Sequence, residues 1–106
     1  MPKFLIQASY TPEGLRGLAK DKASGRQKAI AQALASVGGK LEAVYYAFGD
    51  IDVFIVADYP DNISAAAVSL TVSAAGLVQS KTIPLLSIEE VDLALGKKVT
   101  YRSPGA

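Results

Sequence analysis

Neither cysteine nor histidine occurs among the 106 residues, and these two absences exclude more chemistry than any motif present suggests. Disulfides, thiol nucleophiles, Cys/His zinc sites and His-based triads are ruled out, as is haem held by His or Cys. Net charge is nearly absent too. Eleven Lys/Arg against ten Asp/Glu leave +1, too weak a field to gather nucleic acid as a main partner. No apolar run approaches the roughly 20 residues that span a bilayer, and the opening Met1-Pro2-Lys3-Phe4-Leu5-Ile6 enters a strand without the extended apolar core of a secretion signal. A cytoplasmic location without a membrane partner is therefore expected. Gly14, Gly17 and Gly25 follow no phosphate-binding spacing, so nothing points to a nucleotide, and neither a cofactor nor a metal is expected.

What is present is a packable chain. Half of its residues are hydrophobic and 20% are charged, the profile of one folded domain and not of a disordered segment. The expected division is a domain over residues 1–96 and a tail over residues 97–106.

Residues 3–9 alternate Phe4, Ile6 and Ala8 against Lys3, Leu5, Gln7 and Ser9, which predicts a first strand. Thr11-Pro12 opens a helix that Gly14 and Gly17 weaken, and a stronger helix over residues 24–37 carries Ile30, Leu34 and Val37 on one stripe before Gly38-Gly39. A second strand is expected from Lys40 to about Phe48, turning at Gly49-Asp50 into a third over residues 51–58. That third strand, Ile51-Asp52-Val53-Phe54-Ile55-Val56-Ala57, is apolar on both faces, so it must be covered twice. Asp61 or Asn62 caps a second helix with Ile63, Ala67, Leu70 and Ala74 on its packing stripe, and Gly76 ends it. A fourth strand over residues 77–86 carries Pro84, an edge signal. Ser87 and Glu90 form a capping box that starts a short third helix.

Two split strand-helix-strand units with right-handed crossovers give an α+β fold: ferredoxin-like βαββαβ, one antiparallel sheet in the order 4-1-3-2, both main helices on one face. The other face then carries Leu5, Gln7, Ser9, Asp52, Phe54, Val56, Gln79, Lys81 and Ile83. It is too apolar for water and is expected to pack against a second copy of the chain. The alternative is a monomer that folds its own third helix and tail over it.

Phe48-Gly49-Asp50-Ile51-Asp52-Val53, the Ala8-Ser9-Tyr10-Thr11 end of the first strand and Gly38-Gly39-Lys40 before the second together resemble the GYD-domain family over residues 2–96. The resemblance implies the dimeric α/β-barrel form of the ferredoxin-like fold, in small bacterial and archaeal proteins of uncharacterised function. Gly49 and Asp52 match the family pattern; the tyrosine placed before the aspartate is Ile51 here, so no role of that hydroxyl carries over.

In the 4-1-3-2 order the end of strand one, the start of strand three and the start of strand four converge. They gather Ser9, Tyr10, Tyr46, Asp50, Asp52, Gln79 and Lys81, with Phe54 beside them, as candidate ligand contacts. Asp52, Tyr46 and Lys81 are the candidate acid-base set. Turn chemistry alone also accounts for Asp50 and Asp52, and strand tyrosines commonly pack with only the hydroxyl wet. Arg16, Lys20, Lys22, Arg26 and Lys28 crowd five cations into thirteen residues, as anion capture or as a solvated helix face. The leading function is an oligomeric small-molecule-binding domain, with regulation as one role open to it. A cofactor-independent isomerase or monooxygenase and a structural self-assembly protein are the alternatives.

Overall fold

The structure, a computed structural model, describes residues 1–106. Its elements are β1 (Lys3–Tyr10), α1 (Pro12–Ala35), β2 (Lys40–Tyr46), β3 (Val53–Asp58), α2 (Asn62–Ala75), β4 (Val78–Leu85) and α3 (Ile88–Leu95). The strands form one antiparallel sheet ordered β2-β3-β1-β4, the expected ferredoxin-like topology. β1 is central, paired with β3 from Lys3 to Ala8 and with β4 from Lys3 to Tyr10. Pro84 stands on β4, an edge strand, where its missing donor costs no internal ladder bond.

The core lies on one side of the sheet. Phe4, Ala8, Val53, Ile55 and Ala57 are buried against Leu34 of α1, Ala65 of α2 and Tyr59, with Phe4 edge-on to Tyr59 at 5.4 Å between ring centroids. The register assigns the opposite face, because directly paired residues share a side. Leu5 pairs with Val56 and Ile83, Gln7 with Phe54 and Lys81, Ser9 with Gln79, and Tyr45 with Phe54. No helix packs there.

Nor does the end of the chain fold back over it. The capping box forms as the sequence predicts: the Glu90 amide donates to Ser87 Oγ at 3.1 Å and the Ser87 amide to Glu90 Oε1 at 2.9 Å. Yet every residue from 86 to 106 is exposed, including Ile88, Leu93, Leu95, Val99 and Tyr101. α3 and the tail project from the body, whose extents with them are 56 × 32 × 24 Å. No helix is long and apolar enough to cross a membrane.

Two local expectations need correction. The β2–β3 connection is a loop over residues 47–52, not a tight turn at Gly49-Asp50, since the ladder closes with the Ala47 amide donating to the Asp52 carbonyl at 2.8 Å. The Asp52 amide itself turns to the Ala8 carbonyl of β1 at 3.0 Å. On α2, Ala65, Val68 and Val72 face the sheet while Ile63 and Leu70 are 81% and 71% exposed. A helix built of Ala, Ser and Val is apolar nearly all round, so its period cannot select a face. Close approach to the sheet favours the smaller residues.

The two helical segments expected between Thr11 and Val37 both form, as the halves of α1. Thr11 caps it as expected, accepting from the Gly14 amide at 3.1 Å, but a single non-helical residue, Lys22 (φ 67°, ψ 162°), joins its two segments. That conformation is nearly reserved for glycine and costs a bulky residue on the order of 1–3 kcal/mol. Lys22→Gly removes the strain and adds backbone freedom to the unfolded chain, worth about 0.5–1 kcal/mol. The expected net outcome is a gain of about 1 kcal/mol, read as a higher urea midpoint with unchanged slope.

A second prediction concerns acid. The Asp61 carboxylate accepts from the Ser64 amide at 2.7 Å and caps α2, and that bond holds its pKa below the ordinary 3.8. A depressed carboxylate stabilises the fold above its unfolded pKa and loses that contribution as pH falls through the folded value. Asp61→Asn keeps a capping oxygen without a titrating one, so its stability curve should be flatter than the wild type's below about pH 4, measured by urea unfolding across the acid range.

Candidate functional site

The pleat separates residues that are close in sequence. Tyr10 continues the side of Ile6 and Ala8, and Tyr46 pairs with buried Val53, so both tyrosines lie on the helix side. Ser9, Phe54, Gln79 and Lys81 lie on the open face. Asp50 and Asp52 belong to the loop between β2 and β3, which is tied to the end of β1. Ser9 Oγ donates to the Asp50 carbonyl at 2.9 Å, and the Tyr10 amide donates to Asp52 Oδ2 at 2.8 Å. Lys81 forms no ion pair with Asp52; the ion pairs are Lys3 with Glu42 and Asp58, and Arg26 with Asp21.

Asp52 thus anchors the backbone at the end of β1, from which the Tyr10 ring projects. The ring stacks on Tyr46 with 6.5 Å between centroids and 6° between planes, and the two hydroxyls are 3.1 Å apart. Partial desolvation, the hydrogen bond shared with Tyr10 and the charge Tyr10 can carry all push the Tyr46 hydroxyl well above the ordinary tyrosine range, against a smaller opposing pull from Arg26. Tyr46 is thus a neutral hydroxyl at any physiological pH.

Beside this pair opens a cavity of about 110 Å³. It lies above the middle strands between α1, which packs towards β2, and α2, which packs on β4. Thirteen of its seventeen lining residues are hydrophobic, among them Ile6, Ile30, Val53, Ile55, Val68 and Val72. Arg26 is the sole charged residue in that lining. An outer groove of about 250 Å³ under the first segment of α1 shares Tyr10, Arg26, Val72 and Val78 with the cavity. These shared residues mark the passage between them.

Arg26 is incompletely satisfied. Its Nε is buried without a hydrogen-bond partner, and Nη1 lies 3.9 Å from Asp21 Oδ2, beyond hydrogen-bonding distance. The sequence placed Arg26 in a run of cations, where it reads as one of five on a solvated face. Its distinguishing signal is spacing: 26, 30 and 34 step by four, so Arg26 extends the stripe of Ile30 and Leu34 into the cavity. No cluster of three acids assembles to hold a metal ion.

The model of the GYD domain matches residues 4–95. The chain belongs to the GYD domain family. No curated protein and no solved structure matches it. The matched span contains all four strands but for Lys3 and both helices around the cavity, so the tyrosine pair, Arg26 and Asp52 all lie within the GYD domain.

Tyr46 yields an alkaline prediction. Its pKa is raised on folding from the ordinary 10.0, so the unfolded chain releases the phenolic proton first and stability declines as pH rises above about 10. Tyr59, also raised by burial, contributes to the same decline. Tyr46→Phe should remove its own share and leave that of Tyr59, seen as a smaller drop in urea midpoint between about pH 9 and pH 11.

Proposed function

We propose that this GYD domain is an oligomeric small-molecule-binding domain that holds its ligand between sheet and helices and associates through the open sheet face. The observation that carries the ligand reading is the apolar cavity entered past Tyr10 and Arg26. A largely apolar, preformed concavity with a few convergent polar groups is what small-molecule sites have in common. Association is supported by the opposite face, where Leu5, Phe54, Val56, Tyr45 and Ile83 are left without a helix. The projecting α3 and tail add further exposed apolar side chains, and contiguous patches of this kind mark interfaces.

The tyrosine pair favours a second reading, a cofactor-independent isomerase or monooxygenase in which Tyr46, kept neutral, donates a hydrogen bond to charge developing on the substrate. Asp52 would act in it by holding Tyr10. Lys81, on the open face, would contribute only if the site were completed across a subunit contact.

Native mass spectrometry of the protein purified from its own host tests both parts of the main reading. The expected spectrum shows a multiple of the 11.1 kDa chain carrying a small-molecule adduct. In Ala29→Leu, which fills the cavity lining, the multimer should persist and the adduct should disappear. A bare monomer at micromolar concentration overturns the proposal.

A further inference from the structure

We infer that Arg26 makes the cavity a receptor for small aliphatic monocarboxylates, the carboxylate held in the passage by Arg26 and Tyr10 and the alkyl chain lying inward. The inference rests on the ligand-binding reading above and names the chemical class of the ligand.

Three observations carry it. First, Arg26 is the only charged group lining a mainly apolar cavity, and its buried Nε has no partner. A guanidinium presents a planar fork of donors that matches a carboxylate, and a buried donor left unmade is costly. Asp21 does not supply the missing acceptor. Its carboxylate is 3.9 Å away, lines the outer groove and is absent from the cavity wall.

Second, the tyrosine pair has a proton to spare. Each phenol donates one hydrogen bond, and only one of the two protons can lie between hydroxyls 3.1 Å apart. When Tyr46 donates to Tyr10, the Tyr10 proton is free for an acceptor beside Arg26, since Tyr10 and Arg26 both line the cavity and the groove while Tyr46 stands behind Tyr10. Phenol and guanidinium are both donors here, so the complementary group is an acceptor bearing negative charge. An amine at the passage would stand against the Arg26 cation, and the acid nearest to it, Asp21, lies on the groove side and is paired with Arg26.

Third, size limits the rest of the ligand. An apolar protein cavity on the order of 150 Å³ accepts a benzene ring. The 110 Å³ found here therefore suits a chain of about four or five carbons, with the carboxylate at the passage that Tyr10 and Arg26 share with the outer groove.

The experiment titrates the intact protein with pentanoate, pentan-1-ol and pentylamine, by calorimetry and by nitrogen-edited NMR. Pentanoate is expected to bind more tightly than pentan-1-ol and pentylamine not at all. In the wild type, pentanoate should shift the Nε–H resonance of Arg26, one of three arginines. Arg26→Gln should weaken pentanoate by about tenfold or more and leave pentan-1-ol unchanged. Because the NMR shift is read in unaltered protein, instability of the variant cannot mask the answer. Pentanoate no tighter than pentan-1-ol, or indifferent to Arg26→Gln with no Nε–H shift, overturns the carboxylate assignment while leaving a ligand cavity in place. Absence of binding by all three compounds overturns the carboxylate assignment; an adduct in the native spectrum would still uphold the broader reading.

Discussion

Both helices that pack on the sheet do so on the side of Phe4, Ala8, Val53, Ile55 and Ala57, and this one-sidedness organises the molecule. It follows from chirality. Each strand-helix-strand unit crosses in the right-handed sense, and two such units interleaved around a central β1 deliver their helices to the same face. The covered face becomes core and cavity. The uncovered face keeps Leu5, Phe54 and Val56 half-buried among strand neighbours, with nothing of the same chain above them.

The cavity lies where the two helices divide that covered face. α2 presents Ala65, Val68 and Val72 and settles on β4, while α1 reaches β2 through its second segment. The middle strands contribute small or branched side chains, Ala8, Val53 and Ile55, which leave space between helices that pack towards opposite edges. Larger residues in the same helix would have closed the gap, and the chain has them: Ile63 and Leu70 point outward instead. The arrangement leaves a hydrophobic cavity and an exposed apolar stripe where one rotation of α2 would have traded them.

Much of this was legible from residues alone, and for reasons that can be named. Strand parity in residues 3–9 and 53–58, the caps at Thr11, Asp61 and Ser87, and the glycine stop at Gly76 are all local signals, and each occurs where expected. Local signals with right-handed crossovers are enough to specify the sheet order. The β2–β3 loop was not legible, because Gly-Asp is turn chemistry whether the loop is two residues or six, and its length is decided by bonds to β1, a distant partner. The site divided similarly. Tyr10 and Tyr46 were visible as candidates, but their association with Arg26 depends on where α1 breaks. Nothing in Asp21-Lys22-Ala23 announces a residue at φ 67°.

β1 also explains how two faces with unlike surroundings can share one strand. Its alternate residues address different neighbours: Ile6, Ala8 and Tyr10 line the cavity, while Leu5, Gln7 and Ser9 look out from the open face. Asp52 grips the strand at its end through the Tyr10 amide, and Ser9 holds Asp50 in the same loop. A ligand that moved Tyr10 would thereby load the loop over residues 47–52, which carries fully exposed Phe48. Main-chain bonds on both sides of β1 resist independent movement of neighbouring residues, so any displacement at the cavity mouth is shared with the strand end beside the open face. The physical link between the two faces is therefore backbone geometry at residues 9–10, with Asp52 as its fastening.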